Sequence, residues 1–477
     1  MELRRLALKA QYYAICNGIL IEDSNATATA RHLQPTIPPL ALFPSPLPRQ
    51  ELTYITKIQP LVNELYDNVS RDHIFLKTTL QRVIETDQFT RQLVNILEIL
   101  DTKKCIKKTA CGLLRSDYMM ESRSDRWNGF TKMKQVEVNT IAAATGCLAE
   151  RVPQLHRFTV SLRDGFCKGN YDLELPASEN GKGMAEGLAT AWKEYGSDRA
   201  VIVMLMCANE WNIYDMFHLE ALLLLKFCVK LIQVNFDDIV EGGLKQATLR
   251  EDGALIIDGY EVAVIYFRCG YVPEHYPSQK YWDARLLLEL SQCIQCPSVA
   301  LQLAGTKRVQ QELAAPGVLE RFVRNVDSVK QLRATFLNMY LLDQTPEGNN
   351  AAAKAIANPS DYVIKPQREG GGSNIYNEDV KKTLIDLKDS TIRGSYTMQD
   401  RIHPVETTNY FLRHGHLEEL KPITVINETG IFGAFVRTGD DIVLNSVPGH
   451  YMRTKEATAT EGSIRLGNTA IGSPWLN

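Results

Sequence analysis

The sequence predicts an α/β fold of two or three packed subdomains, and three features carry that expectation. Short apolar strands alternate with helices between Ala200 and Ala304, the pattern of a mostly parallel sheet. The strand Tyr362-Val-Ile-Lys365 leads into the run Gly370-Gly-Gly-Ser373, and the last part of the chain carries strands of antiparallel character at Ile423-Thr-Val-Ile426 and Ile431-Phe-Gly-Ala-Phe-Val436. At 477 residues the chain also exceeds what one hydrophobic core usually serves.

The elements follow in order. The opening Met1-Glu-Leu-Arg-Arg-Leu-Ala-Leu-Lys9 is a charged amphipathic helix, whereas a signal peptide needs an uninterrupted apolar core. Residues 35–48 end in Leu42-Phe-Pro-Ser-Pro-Leu-Pro48, which no helix can cross. Long helices are expected over 52–69 and 75–100. The α/β region holds strands Val201-Ile-Val-Met-Leu-Met206, Leu231-Ile-Gln-Val234 and Val262-Ala-Val-Ile-Tyr-Phe267, and its apolar run Ala221-Leu-Leu-Leu-Leu225 reads as a buried helix. Pro346-Glu-Gly-Asn-Asn350 reads as a flexible entry to the glycine run.

Composition excludes several classes. Apolar residues at 44% and charged residues at 23% are ordinary for a globular chain, and a net charge of −3 leaves no broad basic face for nucleic acid. No apolar run approaches the roughly 18 residues that span a bilayer. Ten cysteines scattered from Cys16 to Cys296 suit reduced thiols better than a disulfide framework. The pair Cys293-Ile-Gln-Cys296 lacks a second pair for zinc, and His414-Gly-His416 reads as two solvated imidazoles.

Three stretches carry chemistry. In Val363-Ile-Lys365-Pro-Gln-Arg-Glu369-Gly-Gly-Gly-Ser373-Asn374, bare glycine N–H groups can approach phosphate oxygens while Lys365 adds a point charge. The stretch matches neither a P-loop nor a dinucleotide fingerprint. In Met133-Lys-Gln-Val-Glu137-Val-Asn139, strand alternation sends Glu137 and Asn139 to one face about 6–7 Å apart, and with Glu369 they form a candidate magnesium site. Arg115, Arg268, Lys307, Arg453 and Lys455 stand where strands or loops end, placed to bind carboxylates or neutralise phosphoryl charge, with a surface ion pair as the alternative for each.

Leu113-Leu-Arg-Ser-Asp-Tyr118, Gln135-Val-Glu-Val-Asn-Thr-Ile141, Leu303-Ala-Gly-Thr-Lys-Arg-Val-Gln-Gln311, Lys365-Pro-Gln-Arg-Glu-Gly-Gly-Gly372, Gly430-Ile-Phe-Gly433 and Arg453-Thr-Lys455 resemble eukaryotic glutathione synthetase, in that family's order. The resemblance implies an ATP-grasp fold with a parallel-sheet substrate subdomain and a mobile glycine-rich lid. It implies a cytoplasmic homodimer joining a small thiol peptide to an amino-acid acceptor with ATP and two Mg2+ ions. The implied divisions are 1–199 for the helical N-terminal part and core strands, 200–305 for substrate binding, 306–345 for a helical return, 346–398 for the lid, and 399–477 for the rest of the core with an acceptor-closing loop at 453–468. By the family motifs, Glu137, Asn139 and Glu369 hold metal. Glu137, Lys307, Lys365, Glu369, Gly370, Gly371, Gly372, Ser373, Asn374, Tyr376, Gln399, Asp400, Arg401, Ile402, Glu428, Lys455 and Glu461 surround ATP. Arg115, Ala142, Ala144, Glu210, Asn212, Met216, Arg268, Tyr271, Arg453, Ile464 and Arg465 face the substrates, and Arg115, Lys307, Lys365 and Arg453 are the implied catalytic groups.

The sequence departs from the family in its substrate half. Serine hydroxyls of the family are replaced by Ala142-Ala-Ala144, a glutamine by Met216, an acid by Cys269, and a small Val-Ala pair by Ile464-Arg465. Each lost hydroxyl bond costs about 0.5–1.5 kcal/mol when nothing replaces it, and Arg465 either fills the acceptor pocket or turns to solvent. The expectation is a ligase of the family's mechanism with a changed donor or acceptor. Two alternatives stay open: an orthodox glutathione synthetase, and a nucleotide-binding protein with an interaction role, as in the secreted effectors of plant-parasitic worms that this altered pocket resembles, with a signal peptide removed from a precursor.

Overall fold

An apolar stripe at Leu52, Ile55, Ile58, Val62, Leu65 and Val69 repeats at helical spacing and folds the chain into the helix Arg49–Arg71, whose buried face lies on a central sheet. Gly433 permits that close approach, since a Cβ there would stand 2.0 Å from Asn63 Oδ1. The computed structural model describes residues 2–23, 34–105, 107–127, 129–163, 174–208, 210–240, 247–367, 373–459, 462, 464 and 468–477.

The central sheet has eight strands among the described residues, in the order Phe411–Leu412, Leu40–Ala41, Thr469–Gly472, Asp441–Glu456, Ile423–Thr438, Thr109–Met120 and Met133–Asn139, with Glu406–Asn409 beside Ile423–Thr438. It is antiparallel except between Thr469–Gly472 and Leu40–Ala41. Its two 16-residue strands form a hairpin that pairs Thr438 with Asp441.

The second sheet is the α/β unit anticipated over 200–305. Leu231–Asn235, Val201–Met206, Tyr260–Phe267 and Ile294–Cys296 run parallel, and Leu255–Ile257 and Thr248–Leu249 add an antiparallel flank. A third, fully antiparallel sheet joins Met339–Leu341, Tyr396–Asp400, Tyr362–Pro366 and Ile375–Tyr376. It has its own apolar cluster, in which Ile364 and Met398 meet Ala351, Ala355, Val380 and Leu384 from its covering helices. This sheet, in the region expected to form the lid, runs from 339 to 400, its first and last strands in the chain lying before and after the helices.

Three local expectations are corrected. The helix expected over 75–100 is broken into His73–Leu80, Val83–Thr86 and Gln88–Thr102. Asp72 and Asp87 restart it as N-caps, accepting the N–H of Phe75 at 2.9 Å and of Thr90 at 3.2 Å. The supposed flexible entry is the helix Pro346–Ala357, with Pro346 in the first turn and Thr345 Oγ1 capping Gly348 N at 3.2 Å. The run 221–225 is helical, but Leu224 and Leu225 are 56% and 76% exposed. No helix among the described residues is long and apolar enough to cross a membrane.

Asp87→Ala should lower stability by about 1–2 kcal/mol, because it removes an N-cap from a helix packed in the main core. A lower urea midpoint with unchanged helicity is the expected result; an unshifted midpoint would show that the cap contributes nothing.

Candidate active site

Met133–Asn139 forms an edge of the central sheet, and its register sets Asp117 opposite Glu137 and Arg115 opposite Asn139. Asp117 organises this corner: it receives Arg115 Nε and Nη2 at 2.7 and 2.9 Å, and Asn139 Nδ2 at 2.9 Å. Two further elements then converge on Glu137. Lys307, first residue of the helix Lys307–Ala314, brings its Nζ to 2.9 Å from Glu137 Oε2. Lys365, on the lid strand Tyr362–Pro366, donates from Nζ to Val136 O at 2.7 Å.

All three side chains lie in low-dielectric surroundings, so their charges act strongly on one another. Burial alone would raise the Glu137 carboxyl, but Lys307, Lys365 and Arg453 outweigh it and hold it at about 2. Burial presses the Lys365 ammonium down to about 8; the attraction of Glu137 opposes this and the repulsion of Lys307 adds to it. Lys307 Nζ is buried and makes no aligned hydrogen bond among the described residues beyond its ion pair, so it retains donors for an anion. Across the strand pair, Arg453 forms an ion pair with Glu428, whose carboxyl burial raises.

A cleft of about 120 Å³ opens over this floor. It is lined by Glu137, Lys365, Asn374 and Tyr376, by the segment 399–402, and by Glu428, Arg453 and Lys455. The side chains of 399–401 are largely engaged within the protein. Gln399 Nε2 donates to Gln135 O at 3.3 Å, Asp400 accepts from Tyr340 Oη at 3.0 Å and Asn338 Nδ2 at 2.9 Å, and Arg401 donates to Asn377 Oδ1. Ser373 is exposed. Glu369, Gly370, Gly371, Gly372, Glu461 and Arg465 lie outside the described residues.

The expected substrate residues gather around the loop 142–145. Ala142 adopts φ +53°, and the loop's carbonyls turn onto two arginines: Arg115 Nη1 donates to Ala144 O at 3.3 Å, and Arg268 Nη1 to Ala143 O at 3.1 Å. Asp215 fixes the far side by accepting Thr145 N at 2.9 Å and Leu148 N at 3.0 Å. Asn212 Nδ2 donates to Asp215 at 3.1 Å, and Glu210 accepts from Asn212 N at 2.9 Å. Arg268 Nε and Asn212 Oδ1 are buried with no partner among the described residues, as a site that awaits polar groups requires. Tyr271 meets His275 edge to face at 4.7 Å.

Met216 departs from its expected place. It is buried in the apolar core with Leu219 and Leu223, because the period of the helix Ile213–Phe227 puts it on the inner stripe. Ile464 is half-buried against the same cluster. The sequence reading missed Asp117 and Asp215. Asp117 was accessible in principle, since it lies two residues after Arg115 on the same strand face; Asp215 was less so, because two of its partners are backbone N–H groups 70 and 67 residues away and only Asn212 is local.

Comparison with known proteins supplies the family. A family model described as the ATP-binding domain of eukaryotic glutathione synthase matches residues 1–476. Glutathione synthetase of Bos taurus is 40% identical over 475 residues, covering 99% of this chain and 97% of its own. The chain belongs to the eukaryotic glutathione synthetase family. The chloroplastic glutathione synthetase of Solanum lycopersicum is 36% identical over 482 residues, covering 99% of this chain and 84% of its own. A glutathione synthetase-like effector from Globodera pallida, solved without ligand, shares the fold with a TM-score of 0.76 at 24% identity, covering 100% of this chain and 97% of that one. Family membership makes this chain an ATP-dependent ligase that uses a divalent metal, with an ATP-grasp fold.

The donor set fits such a cation in part. Glu137 is an ionised carboxylate and Asn139 an amide on the same strand face, both hard oxygen donors. Among the described residues no cluster of three His, Cys, Asp or Glu completes the set.

The Lys365 charge is present below about pH 8 and lost above it. A triphosphate favours the charged form, so nucleotide binding should weaken as pH rises through that value. Calorimetric affinity for magnesium-ATP is expected to fall roughly tenfold between about pH 7.5 and 9.5. Lys365→Gln should bind more weakly throughout and lose most of that pH dependence; an equal slope in the variant would assign the effect to another group.

Proposed function

We propose that this chain is a magnesium- and ATP-dependent carboxylate–amine ligase acting on γ-glutamylcysteine or a related thiol peptide, with donor or acceptor preference shifted from that of the family. The observation that carries the reading is the convergence of Lys307, Lys365 and Glu137 beside a loop held by Arg115 and Arg268. Bound ATP with two magnesium ions would supply activation of the donor carboxylate as an acyl phosphate, which the acceptor amine then opens with loss of phosphate. Glu137 and Asn139, with Glu369, are the proposed metal ligands. Lys307 and Lys365 neutralise phosphoryl charge in a site shielded from water, where fixed charges act strongly without reorganisation. Arg115 and Arg453 hold the reacting carboxylate, and Arg268, Tyr271, Glu210 and Asn212 hold the rest of the peptide.

The shift in preference is supported by the loop 142–145. Its three alanines offer no hydroxyl, Thr145 Oγ1 is turned back onto Ala144 O, and the carbonyls of Ala143 and Ala144 are taken by arginines. A donor with an additional acceptor group for Arg268 Nε would recover what the missing hydroxyls lose. Arg465 at the acceptor side is the second proposed determinant. The corresponding location is the cytoplasm.

A homodimer is part of the same proposal. The helix Ile213–Phe227 exposes Phe217, Leu224 and Leu225 at 53%, 56% and 76%, an apolar stripe suited to a second copy. Sedimentation should show a dimer that Leu225→Glu converts to monomer; a monomer before substitution would rule the stripe out.

Phosphate release from magnesium-ATP should be measured with γ-glutamylcysteine and with a panel of other thiol peptides and amino acids. The expected result is turnover on the order of 1–10³ per second with a donor–acceptor pair other than γ-glutamylcysteine and glycine. Turnover requiring that pair would establish an orthodox synthetase. Nucleotide binding without release on any pair would overturn the ligase reading.

A further inference from the structure

The parallel pairing of Tyr260–Phe267 with Val201–Met206 sets Phe267 beside Leu205. The pairing continues past the strand end, where Arg268 N donates to Leu205 O at 2.8 Å. Two residues beyond the Phe267–Leu205 pair stand Cys269 and Cys207, so the register delivers two thiols to neighbouring positions at the ends of adjacent strands. Such strands lie about 4.7–4.9 Å apart, within the roughly 4.4–6.8 Å between Cα atoms that a disulfide spans. Both cysteines are free, Cys207 half-buried and Cys269 buried, and each shifts the acidity of the other.

His275 completes the group. Gly270, at φ +88°, turns the backbone so that its N–H donates to His275 Nδ1 at 2.9 Å. That bond leaves Nε2 to carry the ring proton, the donor that a thiolate needs. The Cys269 thiol and then His275 pull Cys207 down to about 6 against the effect of burial and of Glu210. Burial, with Cys207 adding, pushes Cys269 well up, so the two sulfurs are chemically unlike. Arg268, Glu210 and Tyr271 stand around them, at the end of the site assigned above to the peptide. The other close pair, Cys111 and Cys296, is buried on both sides in the apolar core and offers no comparable access.

We propose that Cys207 and Cys269 form a thiol–disulfide exchange site at the peptide end of the cleft, with the disulfide of a small thiol peptide as oxidant. The Cys207 thiolate attacks one sulfur of that disulfide, forming a mixed disulfide and releasing one peptide thiolate, which takes up a proton. Cys269 then attacks the Cys207 sulfur as its proton passes to the departing peptide sulfur, releasing the second peptide thiol and closing the 207–269 disulfide. Two protein thiols are oxidised and one peptide disulfide is reduced to two thiols. The choice of a thiol peptide rests on the ligase reading, whereas the dithiol does not.

The test uses the full chain without ATP, with oxidised γ-glutamylcysteine and 2-hydroxyethyl disulfide as probes and peptide mapping by mass spectrometry. The unsubstituted protein should end with Cys207 linked to Cys269 and no retained adduct. Cys269→Ser should trap one peptide thiol on Cys207, and Cys207→Ser should yield neither product. From about pH 8 to about pH 6 the exchange rate at Cys207 should fall only about twofold, where an ordinary thiol slows about 80-fold. A lasting mixed disulfide in the unsubstituted protein, or adducts confined to other cysteines in Cys269→Ser, overturns the proposal. Exchange with 2-hydroxyethyl disulfide but not with the peptide disulfide overturns the assigned oxidant. The phosphate-release assay, which needs no disulfide, reports on the ligase reading separately.

Discussion

The interaction on which the rest depends is the buried contact of one carboxylate with two ammonium groups at Glu137, Lys307 and Lys365. Each of these ions loses several kcal/mol of hydration on burial, and only their mutual attraction offsets it. The attraction is incomplete. Around the floor, Arg115, Lys307, Lys365, Arg453 and Lys455 face Asp117, Glu137 and Glu428, so among the described residues cations exceed carboxylates. A protein that buries an excess of positive charge favours any anion able to enter, and a triphosphate with its metal is a suitable one.

This cluster also fixes the architecture. Glu137 belongs to the edge of the central sheet, Lys307 to a helix that returns from the α/β unit, and Lys365 to the lid sheet with its separate apolar core. The hydrogen bond from Lys365 to Val136 O ties the third sheet to the central one. An anion drawn to the Lys365 ammonium would therefore act on a contact that joins the two sheets.

The sequence made the large elements and the cationic seat legible because both follow short-range rules. Strand alternation placed Glu137 and Asn139 on one face, and the alternation of strands with helices gave the parallel sheet. What it did not reveal depends on partners distant in sequence or on single caps. Asp87 interrupts an otherwise continuous helical pattern, and Thr345 with Pro346 starts a helix where glycine and asparagines suggested a loop. Leu224 and Leu225 look like core in composition, yet the helix turns them outward and gives the inner stripe to Met216, Leu219 and Leu223. Met216 keeps its motif position along the helix, and the helix period turns its side chain into the apolar cluster.

The two halves of the site are under different physical constraints, and this bears on how their sequences are read. Removing Glu137 would leave two buried ammonium groups without their carboxylate, a loss of about 3–5 kcal/mol, a large part of a typical domain's stability. Glu137 is thus required by the fold as well as by any reaction, whereas the second lysine adds repulsion within the cluster and is accounted for by an anionic ligand. The loop 142–145 carries no such obligation. Its alanines leave no orphaned hydroxyl, the carbonyls of Ala143 and Ala144 are satisfied by arginines, and its Thr145 end is held by Asp215. Substitution there costs the fold little and acts mainly on what the pocket can bind. Substrate choice therefore lies with the orphaned Arg268 Nε and the alanine loop.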